Sequence, residues 1–185
     1  LITDTQDTTG TMLETHPVSL DEGKIAQVLE QFRGDIMQIP PMYSALKVNG
    51  QKLCDLARKG KTVERQPRPI TIHTLEYLGM ENGCLKLRVD CSKGTYIRTL
   101  CEDIGRALGC GGCMSSLRRT MAAGFTLAEC RTIEEVQQQG ESLLAATDSL
   151  FRQYPAYRIP SEQADRRCRC GNPLTAEGLQ PGLYR

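Results

Sequence analysis

Apolar residues recur at helical spacing in two stretches of the chain and alternate at strand spacing between them. Ile25, Val28, Leu29 and Phe32 fall at i, i+3, i+4 and i+7. Ser19 and Glu22 precede them in the S-x-x-E order of a capping box and Gly34 follows, so the pattern predicts a helix over 19–33. A second stripe (Ile97, Leu100, Cys101, Ile104, Ala107, Leu108) predicts a helix capped by Thr95 and ended by Gly109. Between the two, Ile70-Thr71-Ile72-His73 alternates, Glu81-Asn82-Gly83 offers a turn, and Leu85, Leu87, Val89 and Cys91 alternate on the return. That is the signature of an antiparallel hairpin. Residues 114–130 read as further strands, and Thr132 with Glu135 starts another capped helix. Beyond about residue 150, Pro155, Pro160 and Gly171-Asn172-Pro173 suggest a few strands of a small second unit. The predicted class is α+β: a mixed, largely antiparallel sheet with flanking helices over 1–150, then a small β-rich unit over 151–185.

One stretch fits neither period. Residues 41–69 run from Pro40-Pro41 to Pro67 and Pro69, with a short helix expected at 51–59 and stopped by Gly60. Prolines and glycines at both ends mark an excursion, and loops of this length in compact domains are mostly functional or disordered. Its charge sharpens the picture. Lys47, Lys52, Arg58, Lys59, Lys61, Arg65 and Arg68 face only Asp55 and Glu64, although the whole chain carries a net +1. A second basic block follows in Lys86, Arg88, Lys93, Arg98, Arg106, Arg118 and Arg119, against Asp90, Glu102 and Asp103. Two such blocks suit a polyanion, although a pair of solvated faces has the same composition.

Composition otherwise excludes more than it specifies. The longest apolar runs fall far short of the roughly 20 residues that span a bilayer, so no membrane partner is expected. The chain opens Leu1-Ile2-Thr3-Asp4 with neither Met nor a secretory signal, which suggests a start inside a longer protein. Nine cysteines, an odd number set mostly within apolar patterns, read as buried thiols of a reducing cytoplasm. Cys110-Gly111-Gly112-Cys113 and Cys168-Arg169-Cys170 are the nearest approach to a zinc ligand set, but the second pair lacks the usual two intervening residues. No metal is expected.

The most specific segment is Cys91-Ser92-Lys93-Gly94-Thr95-Tyr96-Ile97-Arg98-Thr99-Leu100, where a strand ends and a helix begins. Arg98 is rotated about 100° from the apolar stripe. At a helix start, its fork-shaped guanidinium suits a carboxylate or phosphate. This run resembles the K-G-T-Y-I-R-[ST]-L motif of the TruB family of tRNA pseudouridine synthases. Thr3-Asp4-Thr5, Asp7 and Gly10 resemble that family's T-D-T-x-D-x-x-G, and Phe32 to Lys47 its F-x-G-x-x-x-Q-x-P-P-x-x-S-A-x-K. Arg68-Pro69-Ile70 resembles its R-x-[IV] strand, and Leu117-Arg118-Arg119-Thr120 its L-x-R-[ST] strand. The likeness spans roughly residues 1–135, with a weaker tail over 150–185.

The resemblance implies an enzyme of the cytoplasm, a monomer in its parent form, that isomerises uridine 55 in the tRNA T-loop without cofactor or metal. It implies that Arg98 partners the nucleophilic aspartate and that Tyr96 is an aromatic at the pocket wall. Leu117 and Lys93 would line the substrate pocket. Residues 41–69 would be a mobile insertion that clamps the T-arm through Lys47, Lys52, Arg58, Lys59, Lys61 and Arg68. Arg118 and Arg119 would add RNA contacts, and 151–185 would begin a PUA-like RNA-binding domain. One departure stands out. The family's G-x-L-D-P-x-A-x-G-x-L segment, which holds the nucleophile, has no counterpart, and Asp4 and Asp7 align with a different strand. A K-x-Y strand that brings a second active-site tyrosine is missing too, and the sequence does not assign its place to Tyr43, which lies in the insertion. The expectation is a chain that does not catalyse alone and serves a longer enzyme. The other readings are a non-catalytic RNA-binding module of the same fold and a thiol or zinc protein.

Overall fold

Every residue except Leu20, Thr147, Asp148, Leu150, 175–177 and Arg185 is described by the computed structural model. The chain divides into two compact units, 1–118 and 119–185, ahead of the boundary near residue 150 that the pattern suggested. The first unit is mixed α/β. In chain order it holds β1 (Ile2–Thr3), β2 (Met12–Glu14), α1 (Glu22–Glu30), β3 (Gly34–Gln38), β4 (Lys47–Val48), β5 (Gln51–Lys52), α2 (Leu53–Arg58), β6 (Arg68–Glu81), β7 (Cys84–Cys91) and α3 (Ile97–Leu108). All strand pairs are antiparallel, and the main sheet has the order β3-β6-β7.

The expected hairpin is its spine. Asn82 and Gly83 take positive φ (50° and 73°), the geometry of a two-residue turn between twisted strands. Ile70, Ile72 and Leu75 of β6 pack against Ile25, Val28 and Leu29 of α1 and Leu100, Ile104 and Leu108 of α3. Irregularities at Ile72/Thr74 and Tyr77/Gly79 reset the alternation, which keeps Leu75 inward and leaves His73 exposed. Burying each such aliphatic side chain is worth about 1.5–3 kcal/mol, and the shared core fixes α3, and hence its N-terminus, on the sheet. No helix among the described residues is long and apolar enough to cross a membrane.

Three local expectations change. Helix α1 is capped by Asp21, which accepts the Lys24 N–H at 2.8 Å, rather than by Ser19. A carboxylate two residues closer both caps and complements the helix dipole. Strand β3 was not foreseen, because only Ile36 of its five residues is an inward aliphatic; it pairs Gly34 with Ile72 through to Gln38 with Arg68. The strand expected at 117–120 is absent, and Met114 makes only an isolated parallel bridge to Asp7.

The excursion is ordered by its own elements. Asn49 and Gly50 close the β4–β5 hairpin, α2 follows, and Leu53 is fully buried. Backbone bonds from Leu53 and Cys54 to the Leu46 and Ser44 carbonyls fold it on itself. Arg65 closes its neck by donating to the Pro40 carbonyl at 3.1 Å.

In the second unit a hairpin, β8 (Met121–Ala122) with β9 (Phe125–Thr126), precedes α4 (Ile133–Gln139), whose Thr132/Glu135 capping box forms as expected. The strands expected over 151–185 are not found among the described residues. Instead α5 (Glu162–Arg169) forms, capped by Ser161 and braced by the i,i+4 pairs Glu162–Arg166 and Asp165–Arg169.

Candidate active site around Arg98

Strand β7 leads through Ser92-Lys93-Gly94 into α3. Thr95, expected as the cap, instead donates its hydroxyl to the Ser92 carbonyl at 2.9 Å. The N-cap is Tyr96, which has no side-chain cap bond of its own. Its main chain is held from β3: the Tyr96 N–H donates to Gln38 Oε1 at 2.9 Å, and Gln38 Nε2 donates to the Tyr96 carbonyl at 3.1 Å.

Arg98, in the first turn, points at the loop between β1 and β2. Its Nη1 donates to Asp7 Oδ2 at 3.2 Å and to the Thr5 carbonyl at 3.3 Å, and its Nη2 donates to the Tyr43 carbonyl at 2.8 Å. Three of five guanidinium N–H groups are thus engaged, leaving Nε–H and one Nη2 hydrogen without a partner among the described residues. The expected partner of Arg98 was a carboxylate outside the chain, yet the guanidinium already rests on a carboxylate inside it. Both side chains are largely enclosed, at 26% and 15% exposure, so this pair is less screened than a surface ion pair.

Asp7 is itself held. Its Oδ1 accepts from the Thr9 hydroxyl at 2.6 Å, the Thr5 hydroxyl at 2.8 Å and the Thr9 N–H at 3.0 Å. The loop closes tightly because Gly10 has no side chain: a Cβ there would collide with Thr5 Oγ1 and Asp4 Oδ1. Gln6, with φ of 64°, accepts from the buried Thr99 hydroxyl at 2.7 Å and donates to Glu102, tying the loop to two turns of α3. The Asp7 carboxyl sits below its ordinary value, chiefly through the Thr9 hydroxyl, then the Thr5 hydroxyl, the Thr9 N–H and Arg98, against an opposing push from burial. A carboxyl lowered in the folded state stabilises the fold above its unfolded value of 3.8, and that contribution is lost as pH falls through the folded value. The Asp7→Asn variant should therefore melt below wild type at neutral pH, with the gap closing below about pH 4. A gap that persists at acid pH would assign the loss to shape rather than charge.

The other candidate residues lie as follows. Lys93 is exposed in the turn before Tyr96, and Tyr96 is half-buried. Leu117 is 54% exposed, and Arg118 and Arg119 are exposed beside it, the last of them opening the second unit. Lys47 and Lys52 are paired across β4–β5 and, with Lys59, line a groove of about 350 Å³ on the excursion. Arg58 is paired with Asp55 at 3.5 Å; Lys61 is exposed, as is Arg68 opposite Gln38. The Cys110–Cys113 loop owes its glycines to packing: a Cβ on Gly105 or Gly112 would strike the backbone of the other segment. Burial, aided by neighbouring Cys113, pushes the Cys101 thiol up to about 11, which leaves it a poor nucleophile. Asp7, Gln38 and the Tyr43 carbonyl went unassigned in the sequence; the signal for the first two was their fixed place in the quoted motifs.

Comparison with known proteins bears on this geometry. The model of the TruB family pseudouridylate synthase N-terminal domain matches residues 1–97, and that of the tRNA pseudouridylate synthase B C-terminal domain matches 98–152. The chain is 47% identical over 170 residues to tRNA pseudouridine synthase B of Haemophilus influenzae, covering 88% of this chain and 54% of that protein. It is 56% identical to the Pseudomonas fluorescens protein of that name, covering 88% and 56%, and 46% identical to that of Aromatoleum aromaticum, covering 99% and 60%. It thus spans a little over half the length of these relatives. Among solved structures, a chain of a Cbf5-Nop10-Gar1 complex superposes with a TM-score of 0.54 at 31% identity, over 76% of this chain and 38% of that one.

Proposed function

Because the chain belongs to the TruB family of pseudouridylate synthases, we propose that it is the RNA-clamping and arginine-bearing part of a tRNA pseudouridine synthase acting on uridine 55 of the T-loop. The observation that carries this reading is the Arg98 guanidinium, held on one edge by Asp7, Thr5 and Tyr43 and retaining two donors. Those donors suit a second carboxylate, the nucleophilic aspartate, which we place outside these 185 residues. An adjacent fixed cation keeps such an aspartate ionised and aimed at the target nucleotide. The aspartate attacks C1′ of the target nucleotide as the glycosidic bond breaks and uracil leaves as its N1 anion. The freed uracil turns, its C5 bonds to C1′ as the aspartate is displaced, and the C5 proton is lost while N1 is protonated. Tyr96 and Leu117 supply apolar wall for a base taken out of its stack. Lys47, Lys52, Lys59 and Lys61 bind phosphates of the T-arm, which confers affinity more than sequence preference. The nine unpaired thiols suit a reducing cytoplasm, and a monomer suffices for this chemistry.

Tritium release tests the reading, since forming the new bond displaces the hydrogen on C5. A full-length synthase carrying these residues should release tritium from a T-arm hairpin labelled at C5 of its uridines, and the 185 residues alone should release none. Binding of the hairpin by the full-length protein with no release would favour the non-catalytic RNA-binding module.

A further inference from the structure

Gln38 is a neutral amide that is almost wholly enclosed, with 3% of its surface exposed, at the last position of β3. A buried amide is costly unless its donor and acceptor are both satisfied. Here one residue satisfies both: Tyr96 gives its N–H and takes the Nε2–H through its carbonyl, as a strand partner would. The Tyr96 carbonyl also accepts the first helical bond of α3, from Leu100 N–H at 3.0 Å. Gln38 therefore grips the peptide from which the helix is counted.

The same two segments are linked a second time in the opposite sense. Arg98, two residues beyond Tyr96, donates its side chain to the main chain of Tyr43, five residues beyond Gln38. Pro40 and Pro41 stiffen the connection between Gln38 and Tyr43, and Pro41 is among the fully buried side chains. Side chain to backbone one way, and side chain to backbone the other, make a closed frame. One edge of the frame is the root of the excursion and the other is the first turn of α3. Small shifts of a reacting group are expensive, about 100-fold for a misplacement near 1 Å.

We infer that Gln38 is a positioning residue: by holding the Tyr96 peptide it sets the place of Arg98, and it couples that place to the root of the basic excursion. The inference rests on the reading of Arg98 given above. Its role is distinct from core filling, because an apolar side chain of equal length fills the same space without gripping the peptide.

The test uses the full-length synthase with Gln38→Met, which keeps length and burial and removes both hydrogen bonds. The expected result is a single-turnover rate of pseudouridine formation lower by on the order of 10–100-fold, with T-arm affinity changed far less. Amide exchange should also accelerate at Tyr96, whose N–H Gln38 accepts, and at Leu100, which makes the first helical bond, ahead of the rest of α3. A wild-type rate with unchanged exchange there would overturn the inference, as would a loss confined to affinity. Should Gln38→Met fail to fold, Gln38→Glu decides: it keeps the acceptor for Tyr96 N–H, loses the donor, and is expected to show the same split between rate and affinity. If the wild-type enzyme itself forms no pseudouridine, the functional reading fails, and the exchange measurement still decides whether Gln38 holds the helix start.

Discussion

Arg98→Lys in the full-length synthase should lower the single-turnover rate of pseudouridine formation by on the order of 10²–10³-fold while leaving T-arm affinity nearly intact. Charge is conserved in this exchange, so the effect isolates geometry. A guanidinium reaches Asp7, the Thr5 carbonyl and the Tyr43 carbonyl with one planar group and still presents an open fork. An ammonium is a single strongly hydrated point with three donors, and it cannot span those acceptors and also align a second carboxylate. Asp7→Asn should cost less, because Thr5 and Thr9 keep the loop in shape around the amide. The two changes act on one contact, so the double variant should be little slower than Arg98→Lys alone. A loss of RNA affinity with an unchanged rate would instead make Arg98 a phosphate ligand.

The features that were legible in the sequence are those whose causes are local. The β6–β7 hairpin announces itself by alternation about Asn82-Gly83, and α3 by a stripe ending at Gly109, whose φ of 82° closes the helix. Strand β3 was hidden because its inward positions are Ile36 and Gln38, and a glutamine carries no hydrophobic signal. What makes Gln38 an inward residue is a hydrogen bond across 58 positions, which no window along the chain detects. The Asp7–Arg98 pair is the same problem at a separation of 91. Motif order singles out Asp7, but only the fold decides which of several carboxylates faces the arginine. The tail erred for a different reason. Pro155 and Pro160 punctuate it as strands would be punctuated, while the ion pairs of α5 follow a helical period within eight strongly charged residues.

The largest effect on binding should come from the excursion. Lys47 and Lys52 stand opposite each other across β4–β5, and Lys59 ends α2 beside them along one groove. Arg58 is partly neutralised by Asp55, whereas none of the three lysines takes part in an ion pair among the described residues. Three ammonium groups without ion-pair partners, against the single carboxylate of Asp55 in the same groove, are suited to a phosphate backbone. Each phosphate they meet releases counterions, so the signature of their role is salt dependence as much as affinity. The triple variant Lys47→Ala, Lys52→Ala, Lys59→Ala should bind a T-arm hairpin on the order of 100-fold more weakly near 0.1 M salt. Its plot of log affinity against log salt should be shallower by about two to three units. Rate at saturating RNA should fall far less than affinity if, as proposed, these side chains act on the stem and Arg98 on the reacting centre. The β4–β5 pairing and the buried Leu53 order this element while the three lysines are exposed, so the loss should appear without any change in melting temperature. A triple variant that binds less well with an unchanged salt slope would show that the excursion holds RNA by shape or stacking, and that the lysines are a solvated face.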